Sequence, residues 1–234
     1  MDNISMLSDA QWHPVAAAQT LRAGHGVLAS RLLGQPLALW RSADGRPQAW
    51  EDRCPHRGVR LSLGRVVGNH LACAYHGWEY AAGNGRCVAI PAMPRDPVPG
   101  QVCARAYPVR EAQSMIWVAL QPPSAPDTSA SSRDSLALPD FNAPQPGRLI
   151  RALAVHAPLR RVRAVLVQEG FACQGQSRWD GSLAGMAVCA FAQQADADLV
   201  LLHCWIARPG SDAASPALFG QLRRLRTAME DNAS

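Results

Sequence analysis

The amino-acid sequence predicts a mainly β N-terminal domain of antiparallel sheets, followed by a smaller α+β C-terminal domain. From residue 12 to 120, short apolar runs alternate with turn residues and leave no room for long helices. Residues 121–147 are rich in Pro, Ser, Ala and Asp and lack periodicity, which is typical of a linker. Beyond them, strand-like segments precede an amphipathic helix. We therefore divide the chain into residues 1–120, 121–147 and 148–234.

The N-terminal strands are delimited by turn signals. The stretch GVLASRLLGQPLALWRSADGRPQAWED (26–52) reads as strand, Gly-Gln-Pro turn, strand, a second turn and a third strand. The dipeptide Asp44–Gly45 between alternating apolar runs is a strong hairpin signal. GNGRCVAI (83–90) and SMIWVAL (114–120) show the same pattern of short apolar runs beside turn residues, so this domain is predicted to contain only strands and turns.

The C-terminal domain combines strands with a helix. RLIRALAVHAPL (148–159), MAVCAF (186–191) and ADLVLLHCWIA (197–207) are strand-like. The tail predicts a helix with Ser215 as N-cap and Pro216 in its first turn. Its apolar residues recur at helical spacing and should face the core, with the arginines opposite; they are Leu218, Leu222, Leu225 and Met229.

The charge of the chain indicates which partners to expect. The formal net charge is +5, and every basic side chain other than histidine is arginine. The arginines are scattered, apart from small clusters at 159–163 and 222–226, and aromatic residues are sparse. This pattern favours a solvated face or an acidic protein partner over nucleic acid.

Targeting signals and cysteine usage indicate the compartment. The N-terminal residues lack a basic run followed by an apolar core, and the longest apolar stretch, 199–207, is too short to span a bilayer. We therefore expect a cytoplasmic protein with no membrane partner. Seven cysteines, an odd number, argue against a disulfide framework and leave thiols available for metal. Cys204, inside an apolar run, is predicted to be a core residue.

Two short loops each combine one cysteine with one histidine. Cys54 and His56 form the first pair, and Cys73 and His76 the second, with turn residues beside both. Two cysteines and two histidines also suit tetrahedral zinc. Zinc fingers, however, group cysteine with cysteine and histidine with histidine, whereas each loop here supplies one of each. That arrangement suits two adjacent irons, one held by both thiolates and the other by both imidazoles.

The residues around these pairs resemble the Rieske oxygenase family. The resemblance lies in CPHRG (54–58) and CAYHGW (73–78), and extends through GRCVAIPAMP (85–94) and YPVREAQSMIWVAL (107–120). It covers roughly residues 12–120 and implies a Rieske [2Fe–2S] domain whose cluster lies on hairpin loops. Replacing two thiolates by neutral imidazoles raises the reduction potential to about −150 to +300 mV, from about −400 mV in plant-type clusters.

The resemblance also implies roles for individual residues. Cys54, His56, Cys73 and His76 would be the cluster ligands, with no catalytic residue assigned in this chain. Their neighbours would tune or cover the cluster: Arg57, Tyr75, Trp78 and Pro91. Tyr75 and nearby backbone N–H groups are candidate donors to the sulfurs, and Pro91 lies where the family has a covering loop.

A second, mononuclear iron site is expected to be absent. The family holds that iron with two histidines and a carboxylate, mostly from one helical segment that APLRRVRAVLVQEGFACQG (157–175) resembles. Aligned on Arg160–Arg161–Val162, the four functional positions fall on Ala164, Val167, Gly170 and Gly175. The remaining histidines have no helical pair spacing; His156 and His203 lie in predicted strands and His70 in a turn. We therefore expect a truncated C-terminal domain that lacks the iron triad.

These expectations lead to two functional hypotheses. The first is an electron-transfer or structural subunit in a hetero-oligomer, which takes electrons from a reductase or ferredoxin. It would pass them to the mononuclear iron of a homologous full-length oxygenase subunit. The alternative is a terminal oxygenase that hydroxylates or demethylates a small organic substrate at an unconventional iron site. A free ferredoxin-type shuttle would leave the C-terminal domain without a purpose.

Overall fold

The computed structural model describes residues 12–98, 100–120, 144–175, 177–207 and 216–231. Its N-terminal part is built of short strands, as the sequence predicts. They are β1 (Trp12–Ala17), β2 (Leu28–Leu32), β3 (Gln35–Arg41), β4 (Pro47–Glu51), β5 (Arg65–Val67), β6 (His70–Ala72), β7 (Glu79–Ala81), β8 (Cys87–Ala89), β9 (Ala106–Tyr107), β10 (Val109–Ala112) and β11 (Met115–Ala119). Helical structure in this part is confined, among the described residues, to two single 3-10 turns, Ala18–Thr20 and Leu61–Leu63.

These strands form three antiparallel sheets, ordered β1-β11-β10, β2-β3-β4-β9 and β5-β6-β7-β8. The predicted hairpin at Asp44–Gly45 joins β3 to β4, with Gly45 at φ +84°. The predicted Gly-Gln-Pro turn is displaced. Leu33 and Gly34 form the turn, at φ +49° and +83°, while Gln35 and Pro36 already pair with β2. A two-residue hairpin turn with both central residues at positive φ follows the twist of the strands.

Two apolar cores lie between these sheets. One is formed by β1, β2, β3 and β11. The other surrounds Trp40 and Trp50, whose rings meet edge to face with centroids 5.0 Å apart. Cys54 and Cys73 belong to this second core, so the packing that stabilises the sheets also fixes the starts of the two Cys/His loops.

The C-terminal part forms one five-stranded antiparallel sheet with two helices. Its elements are β12 (Leu149–Val155), α1 (Leu159–Gln168), β13 (Ala172–Gln174), β14 (Arg178–Leu183), β15 (Met186–Asp196), β16 (Leu199–Ile206) and α2 (Pro216–Glu230). The strand order is β12-β16-β15-β14-β13. Both helices pack on one face of the sheet, and α2 buries the four predicted apolar residues. The fold class is therefore the predicted one.

Some predictions for this part need correction, and others concern residues that the structure does not describe. His156 is exposed and follows the end of β12, whereas His203 is buried within β16. Cys204 is buried in the core, as predicted. The predicted N-cap Ser215 and most of the predicted linker lie outside the described residues, and Pro144 to Gly147 have no regular secondary structure. No described helix has the length and hydropathy needed to cross a membrane.

The other face of the C-terminal sheet packs against the N-terminal strands. Trp12 and Trp117 meet Phe191 and Trp205 in one buried cluster. Arg178, which is 1 % exposed, binds across the boundary: Nη1 donates to Gln113 Oε1 at 2.7 Å and to the Pro144 carbonyl at 2.9 Å. Its Nε donates to Asp180 Oδ1 at 2.9 Å. The two parts are thus joined by apolar packing and by a buried cation that makes three hydrogen bonds.

Candidate metal centre

The two Cys/His loops share one backbone design. In the first, the Gly58 N–H donates to the Cys54 carbonyl at 2.8 Å; in the second, the Gly77 N–H donates to the Cys73 carbonyl at 3.0 Å. Each glycine stands four residues after its cysteine and has positive φ, +73° and +70°. Glycine adopts this conformation without a steric penalty, so a Cys-x-x-x-Gly spacing closes both loops. The histidine of each loop lies inside that closed turn.

The two thiols form the buried side of the site. Cys54 and Cys73 are each 2 % exposed, and Cys54 Sγ lies 3.1 Å from the hydroxyl oxygen of Tyr80. Burial raises the pKa of the Cys73 thiol; the backbone N–H groups of Tyr75 and His76 oppose this, and the nearby Cys54 reinforces it. Burial beside Cys54 also raises the pKa of Tyr80 above its ordinary range. A bound metal cation would supply the charge that stabilises the thiolates.

The two imidazoles form the outer side of the site. His56 Nδ1 and His76 Nδ1 are 3.2 Å apart. His56 is half-buried and stacks on Trp78, with ring centroids 4.1 Å apart and an interplanar angle of 8°. His76 is exposed and stacks on Tyr75 at 3.8 Å. Partial burial, with the nearby His76 and Arg57, lowers the pKa of His56, which keeps that ring neutral and able to bind a metal.

The four donors are therefore arranged by type, sulfur with sulfur and imidazole with imidazole. This arrangement fits two adjacent metal ions, one held by the inner thiolates and one by the outer imidazoles. Zinc in a structural site instead needs all four donors around a single point. The donor chemistry also matches the thiolate and imidazole ligand set of a Rieske-type centre.

The predicted neighbours surround this site in different ways. Arg57 is exposed. A Cβ placed on Gly77 would lie 3.1 Å from Pro91 Cγ, so the proline ring covers the second loop closely. The side chain of Tyr75 is 60 % exposed and stacks on an imidazole, so its contribution near the sulfur comes from its backbone N–H.

Two residues that support the site were not singled out from the sequence. The hydroxyl of Tyr80 lies beside Cys54 Sγ. Tyr80 belongs to β7 and stands two residues after Trp78, so the alternation of side chains along a strand was the sequence signal that could have placed it near the site. Asp52, largely buried, accepts hydrogen bonds from the Ser62 N–H and hydroxyl at 2.6 and 2.7 Å. These bonds tie the segment that follows the first loop to the strand that precedes it.

The four downstream positions aligned with the family's iron helix carry no donor side chain. Ala164 and Val167 lie in α1, Gly170 follows its C-terminal end and Gly175 follows β13; all four are exposed. His203 is elsewhere, inside the sheet, where burial lowers its pKa to about 4. Within the described residues, no group of three or more His, Cys, Asp or Glu side chains is placed to hold one metal ion.

Comparison with known sequences identifies the N-terminal region. Residues 11–110 match the Rieske [2Fe-2S] domain family. The chain is 47 % identical over 117 residues to the oxidoreductase NdmD of Pseudomonas putida, covering 50 % of this chain and 20 % of that protein. It is 37 % identical over 142 residues to methylxanthine N1-demethylase NdmA of the same species, covering 59 % of this chain and 37 % of that protein. The chain thus spans much less than two thirds of these curated relatives.

Comparison with solved structures extends over both parts of the molecule. A Pseudomonas putida NdmA mutant with theobromine superposes with a TM-score of 0.71 at 23 % identity, covering 94 % of this chain and 79 % of that one. Apo dicamba monooxygenase superposes with a TM-score of 0.70 at 19 % identity, covering 95 % of this chain and 86 % of that one. At these identities the likeness establishes the fold alone.

Proposed function

The chain is a relative of the Rieske non-haem iron oxygenases with a Rieske [2Fe–2S] domain, and we propose that it is an electron-transfer subunit of such a system. It would receive electrons from a reductase or ferredoxin and deliver them to the mononuclear iron of a homologous full-length oxygenase subunit. The observation that carries this proposal is the pair of neighbouring imidazoles, His76 exposed and His56 half-buried, on the outer side of a buried thiol pair.

The cluster ligands in this proposal are Cys54 and Cys73 on one iron and His56 and His76 on the other. When bound, the [2Fe–2S] cluster takes up and releases single electrons. The loops hold both rings at the surface through their stacking on Trp78 and Tyr75, so a partner can contact the imidazole edge directly. The buried thiols leave no such approach from the inner side.

The surface around the imidazoles suits an acidic partner. Leu63 and Tyr75 are 66 % and 60 % exposed, and Met93 in the covering loop is 44 % exposed. Exposed arginines in the segments that adjoin the loops in sequence and in the covering loop carry positive charge; they are Arg53, Arg57, Arg60, Arg65 and Arg95. Such a surface combines apolar contact with electrostatic steering of a negatively charged redox protein.

The role of the C-terminal part follows from its missing donors. Alanine, valine and two glycines occupy the four functional positions of the family's iron-binding segment, yet the surrounding sheet and helices have an apolar core. We infer that this part serves for assembly with the full-length subunit. Relatives named as an oxidoreductase and as a demethylase match 117 and 142 residues of this chain, which supports an electron-transfer role beside an oxygenase.

Metal content and rescue of a partner test the proposal. The purified chain should contain two irons and two acid-labile sulfides, should be reduced by dithionite, and should turn over no substrate alone. A full-length homologous oxygenase, disabled in its own cluster by replacing a histidine ligand, should regain turnover when mixed with this chain. The His76→Ala chain serves as the control and should not restore activity.

The alternative, a terminal oxygenase with an unconventional iron site, is favoured by one observation. The structural likeness to NdmA covers 94 % of the chain and therefore includes the C-terminal part. This alternative requires a third iron held by dispersed residues. A third iron together with substrate turnover by the chain alone would replace our proposal by this alternative.

A further inference from the structure

A groove lies between the outer strand β12 and helix α2, far from the described loops in sequence. Its volume is about 460 Å³. Residues 151–154 of β12 form one wall, and Phe219, Leu222, Arg223 and Arg226 of α2 form the other. None of these residues takes part in the proposed cluster site, so the groove requires its own explanation.

The groove follows the backbone edge of β12. Successive side chains of a strand point to opposite faces of its sheet. The four consecutive residues 151–154 can therefore line one groove only if the groove runs along the edge of β12. In the part of the chain that the structure describes, β12 is the outermost strand, paired with β16 on one side alone. Its outward N–H and C=O groups are placed to pair with an added strand.

Two uncompensated cations stand on opposite walls of the groove. Among the described residues, neither Arg151 nor Arg223 has a hydrogen bond or ion pair, and both are exposed. Arg226, by contrast, donates from Nε to Glu230 Oε1 at 3.0 Å. Guanidinium groups bind carboxylates with charge-assisted, often two-point hydrogen bonds. The walls therefore select for negatively charged side chains.

The remaining lining is apolar and small. Phe219 is 39 % exposed, which is high for an aromatic side chain on a helix that buries four other apolar residues. Ala152 and Ala154 leave space along the strand, and both are exposed. Alternate side chains of an added strand would face the side of the sheet that carries α2, so carboxylates at alternate positions would lie beside the arginines.

We propose that an acidic, extended segment of a protein partner binds in this groove by adding a strand to the free edge of β12. Main-chain hydrogen bonds to β12 supply affinity, and the arginines select carboxylate side chains. The proposal is independent of the electron-transfer role, because it uses none of the residues of the two Cys/His loops.

A synthetic peptide tests the site in the full-length, cluster-loaded chain. The probe is a fluorescein-labelled, end-capped Glu-Val-Glu-Val-Glu-Val peptide, and binding is measured by fluorescence anisotropy. We expect saturable binding, weakened about tenfold by Arg151→Gln or Arg223→Gln, since a charge-assisted hydrogen bond contributes roughly 1.5–3 kcal/mol and 1.4 kcal/mol corresponds to tenfold. Arg224→Gln removes the same charge from the neighbouring helix position, outside the groove lining, and should change the affinity less than twofold.

Backbone N-methylation separates strand addition from simple ion binding. Two further peptides carry N-methyl groups on one or the other set of alternate residues. Strand addition uses the N–H groups of one set, so one methylated peptide should lose binding at least tenfold while the other binds as the parent does. Equal binding by both, equal losses in the Arg223 and Arg224 variants, or the absence of saturable binding would each overturn the proposal. Circular dichroism of each variant verifies that it is folded.

Discussion

The cluster loops of the N-terminal part and the α1 segment of the C-terminal part differ in what they present to a metal. The loops hold four sulfur and nitrogen donors inside two turns with matching backbone hydrogen bonds. The α1 segment and the turns after it carry alanine, valine and glycine at the aligned positions, all exposed. Both parts nevertheless have a packed core: Leu71 and Tyr80 are fully buried in the strands that follow the loops' cysteines, and Val162 and Leu166 are fully buried on the inner face of α1.

This difference shows that the C-terminal core forms without metal donors, whereas Cys54 and Cys73 belong to the core of the N-terminal part. The C-terminal sheet buries its apolar residues without any contribution from metal donors. The loops, in contrast, bury two thiols, and burial raises the pKa of the Cys73 thiol, so its thiolate needs a bound cation nearby. Metal-dependent stability should therefore be confined to the N-terminal part, and each substitution below tests that separation.

Removal of one inner ligand should have the largest effect. Cys54→Ser replaces a thiolate donor at the buried side of the site, so we expect iron content to fall from two per chain to nearly none. Cys103→Ser, at an exposed cysteine outside the loops, is the control and should leave the iron content unchanged. Iron analysis and the visible absorption spectrum measure both. Full cluster loading of Cys54→Ser would show that Cys54 is not a ligand.

Breaking the connection between the two parts should have the next largest effect. Arg178→Met removes a buried cation and leaves Asp180 without its partner, which we expect to lower the free energy of unfolding by about 3 kcal/mol. Arg31→Met removes an exposed ion pair to Asp196 that also crosses the boundary, and it should cost less than about 1 kcal/mol. Urea denaturation compares the two. Equal losses would mean that burial of Arg178 contributes nothing.

The close approach of Pro91 to the second loop allows a smaller, more local test. Gly77→Ala imposes a residue with a Cβ at φ +70° and places that Cβ 3.1 Å from the Pro91 ring. We expect a loss of about 2–3 kcal/mol, of which about 1–2 comes from the backbone conformation alone. Gly83 has φ +82°, and a Cβ placed on it would meet no atom within 4 Å. Gly83→Ala therefore measures the cost of the backbone conformation alone. Thermal unfolding compares the two variants. The same loss of stability in Gly77→Ala and Gly83→Ala would show that the contact with the Pro91 ring adds no cost.

The hydroxyl of Tyr80 should affect the cluster rather than the fold. Tyr80→Phe removes the contact to Cys54 Sγ, and a hydrogen bond of this kind contributes about 0.5–1.5 kcal/mol. Hydrogen bonds to sulfur favour the reduced, more negative cluster, so the potential should fall by about 20–60 mV, at 59 mV per tenfold change for one electron. Tyr75→Phe alters an exposed phenol and should leave the potential unchanged. Protein-film voltammetry measures both; a fall for Tyr75→Phe alone would reverse these roles.

Sequence reasoning was most successful where the determining residues are close along the chain. The loops follow from cysteine, histidine and glycine within five residues, and α2 follows from its apolar spacing. The turn at Leu33–Gly34 was misplaced because Gln35 and Pro36 were read as part of the turn, although both already belong to β3.

Contacts between distant segments could not be predicted. Tyr80 reaches Cys54 only because β7 lies beside the first loop, 26 residues away in sequence. Arg178 binds Gln113 across 65 residues and had no local signature. The groove beside β12 depends on which strand is outermost in the sheet, and single-sequence periodicity contains no information about strand order.

Acid should destabilise the C-terminal part through Glu230, with the smallest effect of the series. Partial burial opposes ionisation of this carboxylate, but its hydrogen bonds to the His156 N–H and to Arg226 outweigh burial and lower its pKa. A carboxylate with a lowered folded-state pKa contributes stability above its unfolded pKa of 4.5 and loses it as pH falls through the folded value. Glu230→Gln should therefore be less stable than the parent at pH 7, by less than about 1 kcal/mol, and equal to it once the pH lies below the lowered folded-state pKa. Urea denaturation at pH 7 and at a pH below the folded-state pKa of Glu230 measures the difference, and Asp231→Asn, which removes an exposed neighbouring carboxylate, is the charge-matched control. A constant difference at both pH values would mean that the glutamate acts through packing rather than charge.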